Sequence, residues 1–237
     1  MTNNDIREKH RVAGPDSFHV TGTLVSDRRR IAEIIAVVVT GLGKFVFMDQ
    51  LGLKFLYVAS AVIGWAVYII YRHRSAPGVL RHWGFRTDNF RQVARMVLPF
   101  AAVSLVLFFT VGAIQGTLNP TWHILPLFVT YPIWGTIQQF LVIGLVAGNL
   151  NEMDRQRSNK AVILVATAVL FAGVHYPDRW LIIGTFVLAL FYGYIYLRVR
   201  NVYVMGIMHG WLGALFYYTV VDRDPFIGVF GKLLGLT

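Results

Sequence analysis

The chain has 237 residues, of which 56% are hydrophobic and only 14% charged, with a mean hydropathy of +0.56 and a formal net charge of +10. A soluble domain carries about 25% charged residues, so an ordinary soluble fold is excluded and the composition points to a protein built for lipid. The absence of cysteine excludes a disulfide framework, a thiolate nucleophile and a cysteine-ligated zinc site.

The first 27 residues, MTNNDIREKHRVAGPDSFHVTGTLVSD, are polar and lack the apolar core and small-residue cleavage site of a secretory signal, so they read as a disordered tail. Seven stretches then supply the roughly 17 to 25 mostly apolar residues that a hydrocarbon core about 30 Å thick demands. They are residues 31–47, 53–71, 97–114, 123–150, 161–176, 181–197 and 202–221. The expected fold is therefore all-α, a polytopic transmembrane helical bundle of about seven spans over residues 28–224. The closing segment 225–237, PFIGVFGKLLGLT, is too short to span and is expected to lie at the interface or re-enter the membrane.

Basic residues orient the bundle. With seven alternating spans, 17 of the 22 lysines and arginines fall on the side of the tail, the 72–95 linker, the 151–160 loop and Arg198/Arg200; Lys44, Lys54, Arg179, Arg223 and Lys232 fall opposite. The N terminus is expected in the cytoplasm. The same residues account for the net charge through attraction to anionic headgroups, at about 1 kcal/mol each. No phosphate-cradling loop or nucleic-acid module accompanies them, so nucleic acid is not an expected partner. The linker's Arg residues alternate with Trp83, Phe85 and Phe90, a pattern suited to an interfacial helix. No recurrent broken segments suggest an inverted-repeat transporter.

Within the apolar stretches a few polar groups stand out. WGTIQQFLVIGLVAGNL, residues 134–150, has no charge but carries Gln138 and Gln139; FAGVH ends in His175, and HGWLG begins with His209. Taken singly, an amide or imidazole in a span acts as a cross-helix hydrogen bond worth about 0.6 kcal/mol. The pairs Gly144/Gly148 and Gly206/Gly210 have the GxxxG spacing that lets helix backbones approach.

The order and spacing of these groups resemble the CPBP family, the CAAX-processing intramembrane peptidases of the Rce1 and Abi type. That family carries Glu-Glu-x-x-x-Arg-Gly, Phe-x-x-x-His and His-x-x-x-Asn on successive helices. Here the first motif reads QQFLVIG, with Gln138 and Gln139 for the glutamates and Ile143 for the arginine; Phe171 to His175 matches fully; the third keeps His209 but has Gly213 for Asn. The likeness covers roughly residues 80–218. It implies endopeptidase action on membrane-associated peptides or prenylated C termini, in a bacterial inner (plasma) membrane, with Gln138, Gln139, His175 and His209 as the site.

The departures bear on the chemistry. A carboxylate accepts a proton from water, whereas a carboxamide can only orient it. Losing a general base lowers a rate by about 10²- to 10⁴-fold. Asp178, three residues beyond His175, is the nearest carboxylate in sequence, but Pro177 favours a loop there and an ion pair with Arg179 or solvent is its simpler role. Two histidines without a third ligand make a poor zinc site, so no cofactor is expected. Gln138, Gln139 and Ile143 are neutral together, since an arginine retained without the glutamates would be a stranded charge. The alternatives are a weak intramembrane peptidase and a non-catalytic scaffold that holds a hydrophobic peptide, lipid or partner helix.

Overall fold

A computed structural model describes residues 25–153 and 159–236. The polar tail up to residue 24 and residues 154–158 lie outside the described residues, so the expectation of disorder falls largely outside them. Among the described residues ten α-helices run in chain order: α1 (Asp27–Lys44), α2 (Lys54–Ser75), α3 (Val79–His82), α4 (Phe90–Gln115), α5 (Ile124–Gln139), α6 (Gly148–Met153), α7 (Lys160–Gly173), α8 (Arg179–Tyr196), α9 (Val202–Phe216) and α10 (Pro225–Leu234). Wider π-helical turns prolong α1 through Phe45–Gln50, join α5 to α6 through Phe140–Ala147, and prolong α9 through Tyr217–Val221. Among the described residues there is no strand.

Six of the resulting helical rods are long and apolar enough to cross a membrane, and the fourteen-residue α7 is a shorter apolar companion. The fifth expected span thus ends at Gly173, three residues early, and α4 begins at Phe90, seven residues before the expected Val97. The surface is inverted relative to a soluble protein. Ile31, Ile35, Val39, Ile63, Val67, Val103, Val106 and Leu107 are all exposed, as suits side chains that face acyl chains rather than water.

The starts of four helices are set locally by polar caps: Asn159 accepts from Ala161 N, Asp178 from Trp180 N and Leu181 N, Asn201 from Val204 N, and Asp224 from Phe226 N and Ile227 N. Each side-chain oxygen satisfies backbone donors that the first turn leaves orphaned. At the end of α4, Gly116 takes φ +69°, which a side chain would resist.

Contacts between loops sort the helices into two ends. At one, Glu152 gathers Arg30, His82 and Arg200. At the other, Thr117 Oγ1 donates to Thr219 O at 2.6 Å, Asp178 pairs with Arg223 at 2.9 Å, and Asp224 holds His123 at 2.6 Å and Tyr218 at 2.8 Å. Burial opposes the Asp224 charge, but His123 and Tyr218 hold its carboxyl below the usual range. Seven helical passes, α7 included, alternate between these ends. The linker departs from the expected interfacial helix: its ends belong to α2 and α4, between them only Val79–His82 is helical, Trp83 is 2% exposed, and the rings of Trp83 and Phe85 lie 5.0 and 5.1 Å from Phe140. Its aromatic residues plug the bundle instead of lying on its surface.

Candidate active site

The α5–α6 rod is the most buried of the spans, and its closest partner is α9. The approach depends on glycine. A Cβ on Gly135 would stand 2.5 Å from Gly206 O and 2.8 Å from Gly210 N, while a Cβ on Gly206 would overlap the Thr136 backbone and one on Gly210 the peptide of Tyr131 and Pro132. Since Gly206 meets Thr136 and Gly210 meets Tyr131, the helices run antiparallel. Gly206/Gly210 thus does what its spacing implies. Gly144/Gly148 does something different: a Cβ on Gly148 would meet the Tyr196 ring at 3.3 Å and one on Gly144 the Phe140 ring at 3.2 Å, so these glycines leave room for two rings, and the Tyr196 hydroxyl donates to Trp83 O at 2.9 Å.

Pro132 tightens the same crossing. Lacking an N–H, it leaves the carbonyl four residues back without a helical donor, and Trp211 Nε1 of α9 donates to that Phe128 O at 3.1 Å.

Helical side chains lean toward their own N terminus. On antiparallel helices touching at Gly135 and Gly206, Gln139 leans back toward Gly135 and His209 toward Gly206, so they meet. Gln139 Nε2 lies 2.7 Å from His209 Nδ1. An amide nitrogen only donates, so Nδ1 accepts and the imidazole proton sits on Nε2. Gln139 is 0% exposed and its Oε1 has no partner among the described residues, an orphan acceptor beside the imidazole.

Phe171 gathers the second histidine. Its ring stands edge-on to His175 at 5.0 Å and to His209 at 5.7 Å, which places both imidazoles against one aromatic side chain. His175 Nδ1 lies 2.8 Å from Phe171 O. A carbonyl only accepts, so Nδ1 carries the proton and Nε2 presents its lone pair. The turn bearing His175 is held against α1 by Lys44 Nζ, which donates to Tyr176 O at 2.9 Å. One imidazole therefore presents a base and the other an N–H donor.

The other sequence-selected residues are placed less directly. Gln138, adjacent to the pair, is half-buried and makes no hydrogen bond among the described residues; it is the second glutamine that meets a histidine, because successive residues point about 100° apart on a helix. Asp178 pairs with Arg223 instead of Arg179, and its other oxygen caps α8. Ile143 is fully buried, its Cδ1 3.8 Å from where a Cβ on Gly193 would stand. A Cβ on Gly213 would meet only His209 Cδ2, at 3.8 Å, so the absent asparagine leaves space beside the imidazole. Among the described residues no group of three or more His, Asp or Glu is placed to hold a metal ion. The π turn that begins at Phe140, immediately after Gln139, was not legible beforehand. A Trp211 bond to the Phe128 carbonyl was hinted at only by Pro132.

Because the Gly135–Gly206 contact carries the site, Gly206→Val should separate α5 from α9. Overpacking costs about 1–3 kcal/mol or more, and no soft side chain stands there to yield. The variant is expected to show a Tm in detergent lower by several degrees, whereas Gly173→Ala, whose Cβ meets nothing within 4 Å, should leave Tm within about a degree.

Residues 117–215, which contain both glutamines and both histidines, match the family model described as type II CAAX prenyl endopeptidase Rce1-like. No curated protein and no solved structure matches the chain. The protein is a polytopic helical membrane protein whose residues 117–215 are similar to the Rce1-like family.

Proposed function

We propose that the chain binds a membrane-associated peptide or protein C terminus at the Gln139–His209–His175 cluster and hydrolyses it weakly or not at all, with the basic Glu152 end in the cytoplasm. The observation that carries this reading is the amide at 2.7 Å from His209: the partner of the imidazole has no basic form, and the nearest carboxylate in sequence, Asp178, is engaged by Arg223 and the α8 cap. The orphan Oε1 of Gln139 would accept from a substrate N–H or from a water, and a buried acceptor gains about 1–3 kcal/mol when such a partner arrives.

A second reading draws on the tautomer of His175. Its Nε2 lone pair, with Nδ1 held by Phe171 O, has the form of a general base, and the Nε2–H of His209 has that of a donor to a carbonyl oxygen. In that case the histidines alone would activate water.

A quenched membrane peptide incubated with wild-type protein in proteoliposomes separates the two. Turnover within a few-fold of protein-free vesicles, with the labelled peptide still bound, is the expected result. Brisk cleavage that His175→Ala or His209→Ala abolishes would establish the second reading and sink the first.

A further inference from the structure

The first two helices lie outside the Rce1-like residues, and their facing surfaces are anomalous. Along one furrow between them, α1 presents Ala32 and Ala36, and α2 presents Ala61 and Gly64. In hydrocarbon such small residues ordinarily bring backbones into contact. Here they face a furrow of about 710 Å³, and a Cβ on Gly64 would find nothing within 4 Å. The helices are instead bridged by long side chains. Tyr57 donates to Thr40 O, Trp65 Nε1 to Thr40 Oγ1 at 3.3 Å, and Tyr68 to Glu33.

A gap of that size within the bilayer is filled by something apolar, and its polarity is graded. From Ser26 to Thr40 the furrow runs about 21 Å at 1.5 Å per residue, somewhat more than one leaflet of a hydrocarbon core about 30 Å thick. Its volume falls within the roughly 300 to 1,000 Å³ of ligand clefts. Arg28 and Arg29 stand at the mouth. Arg30 is turned inward to Asp27 and Glu152, whereas among the described residues neither Arg28 nor Arg29 has a carboxylate partner. Glu33 borders the furrow, but its oxygens accept from Tyr68 and from Asn149 at 2.7 Å, and it is only 4% exposed. The mouth is therefore cationic and the wall apolar.

We propose that this furrow is a binding site for one anionic glycerophospholipid, its phosphate against Arg28 and Arg29 and an acyl chain along Ala32, Ala36, Ala61 and Gly64. Charge complementarity selects the headgroup, since guanidinium groups bond phosphate oxygens through paired N–H donors. The unfilled face between α1 and α2 selects the chain. The site stands whether or not the Gln139 cluster turns over.

A photo-crosslinking residue, p-benzoylphenylalanine, placed at Ser60 on the far rim of the furrow in the full chain tests it. The protein is put in nanodiscs of equal phosphatidylglycerol and phosphatidylcholine, and the adducts are resolved by mass. The same probe at Val103, on the lipid-exposed face of α4, reports bulk lipid. At Ser60 an enrichment of phosphatidylglycerol of roughly 10- to 30-fold is expected, the size that two arginines at headgroup depth supply. Arg28→Gln with Arg29→Gln should return the ratio to that at Val103. Gly64→Leu, for which there is open space, should lower lipid adducts at Ser60 several-fold and leave those at Val103 unchanged. Equal lipid ratios at Ser60 and Val103 in the wild-type chain, a ratio unmoved by the arginine changes, or an adduct on residues 1–24 or on a second copy would overturn the proposal.

Discussion

Replacing Gln138 and Gln139 by glutamate together with Ile143→Arg is expected to raise hydrolysis of a quenched membrane peptide by about 10²- to 10⁴-fold, the worth of a general base. The geometry supplies the reason. A carboxylate at position 139 would occupy the place of the amide 2.7 Å from His209 Nδ1 and, being an acceptor only, would favour the tautomer with the proton on Nδ1, leaving an imidazole–carboxylate pair where there is now an imidazole–amide pair. A lone charge at a helix centre costs about 2.5–3.5 kcal/mol, so the arginine one turn further along is part of the change. Ile143→Arg alone would put a guanidinium at a fully buried position beside Gly193 and is expected to lower the folded yield. Gly213→Asn fits the space beside His209 and should add to the triple variant's rate. Testing Gln138→Glu and Gln139→Glu separately in the Ile143→Arg background identifies which carboxylate acts. A triple variant that folds, binds peptide and cleaves no faster than wild type would show that the pocket is shaped for binding alone.

Glu152→Ala should destabilise the bundle by about 3–5 kcal/mol, as expected when one partner of a buried ion pair is removed and the other charge is left behind. Glu152 has a side chain only 6% exposed and holds Arg30 and Arg200 at 2.6 Å each and His82 at 3.1 Å. These partners come from α1, the end of α3 and the turn between α8 and α9, so one carboxylate ties four parts of the chain at the same end. Glu152→Gln keeps the volume and one acceptor but leaves Arg200 without a carboxylate and Arg30 with Asp27 alone, and it should lose most of the same stability. Thermal unfolding in detergent measures both variants. A Tm within a degree or two of wild type for Glu152→Ala would mean that the arginines find water instead, and that the network contributes no more than a surface pair, about 0–1 kcal/mol.

The sequence by itself determined that the protein is an all-helical membrane bundle, because hydrocarbon admits only elements that satisfy their own backbone and the apolar runs are long enough for helices. It also determined which polar residues merit attention, since Gln138, Gln139, His175 and His209 are conspicuous in stretches without charge. Local chemistry placed several helix starts, as at Asn159, Asp178 and Asn201. Tertiary structure alone decided that Gln139, and not Gln138, faces His209, because that choice depends on the rotation of α5 about its axis. The Gly135–Gly206 contact fixes that rotation, and Gly135 is unremarkable in sequence. It also decided which glycine pair joins backbones: Gly206/Gly210 meets a helix, Gly144/Gly148 meets the rings of Phe140 and Tyr196, and the two spacings are identical. The aromatic linker reads as a surface helix because Arg and Trp suit an interface, yet Trp83 is drawn inward by Phe140 and by the Tyr196 bond to its carbonyl. Asp178 likewise finds Arg223, 45 positions away in the chain, a partner that spacing does not reveal. Sequence fixes what each residue can do in lipid, whereas the rotation and approach of helices fix which groups meet.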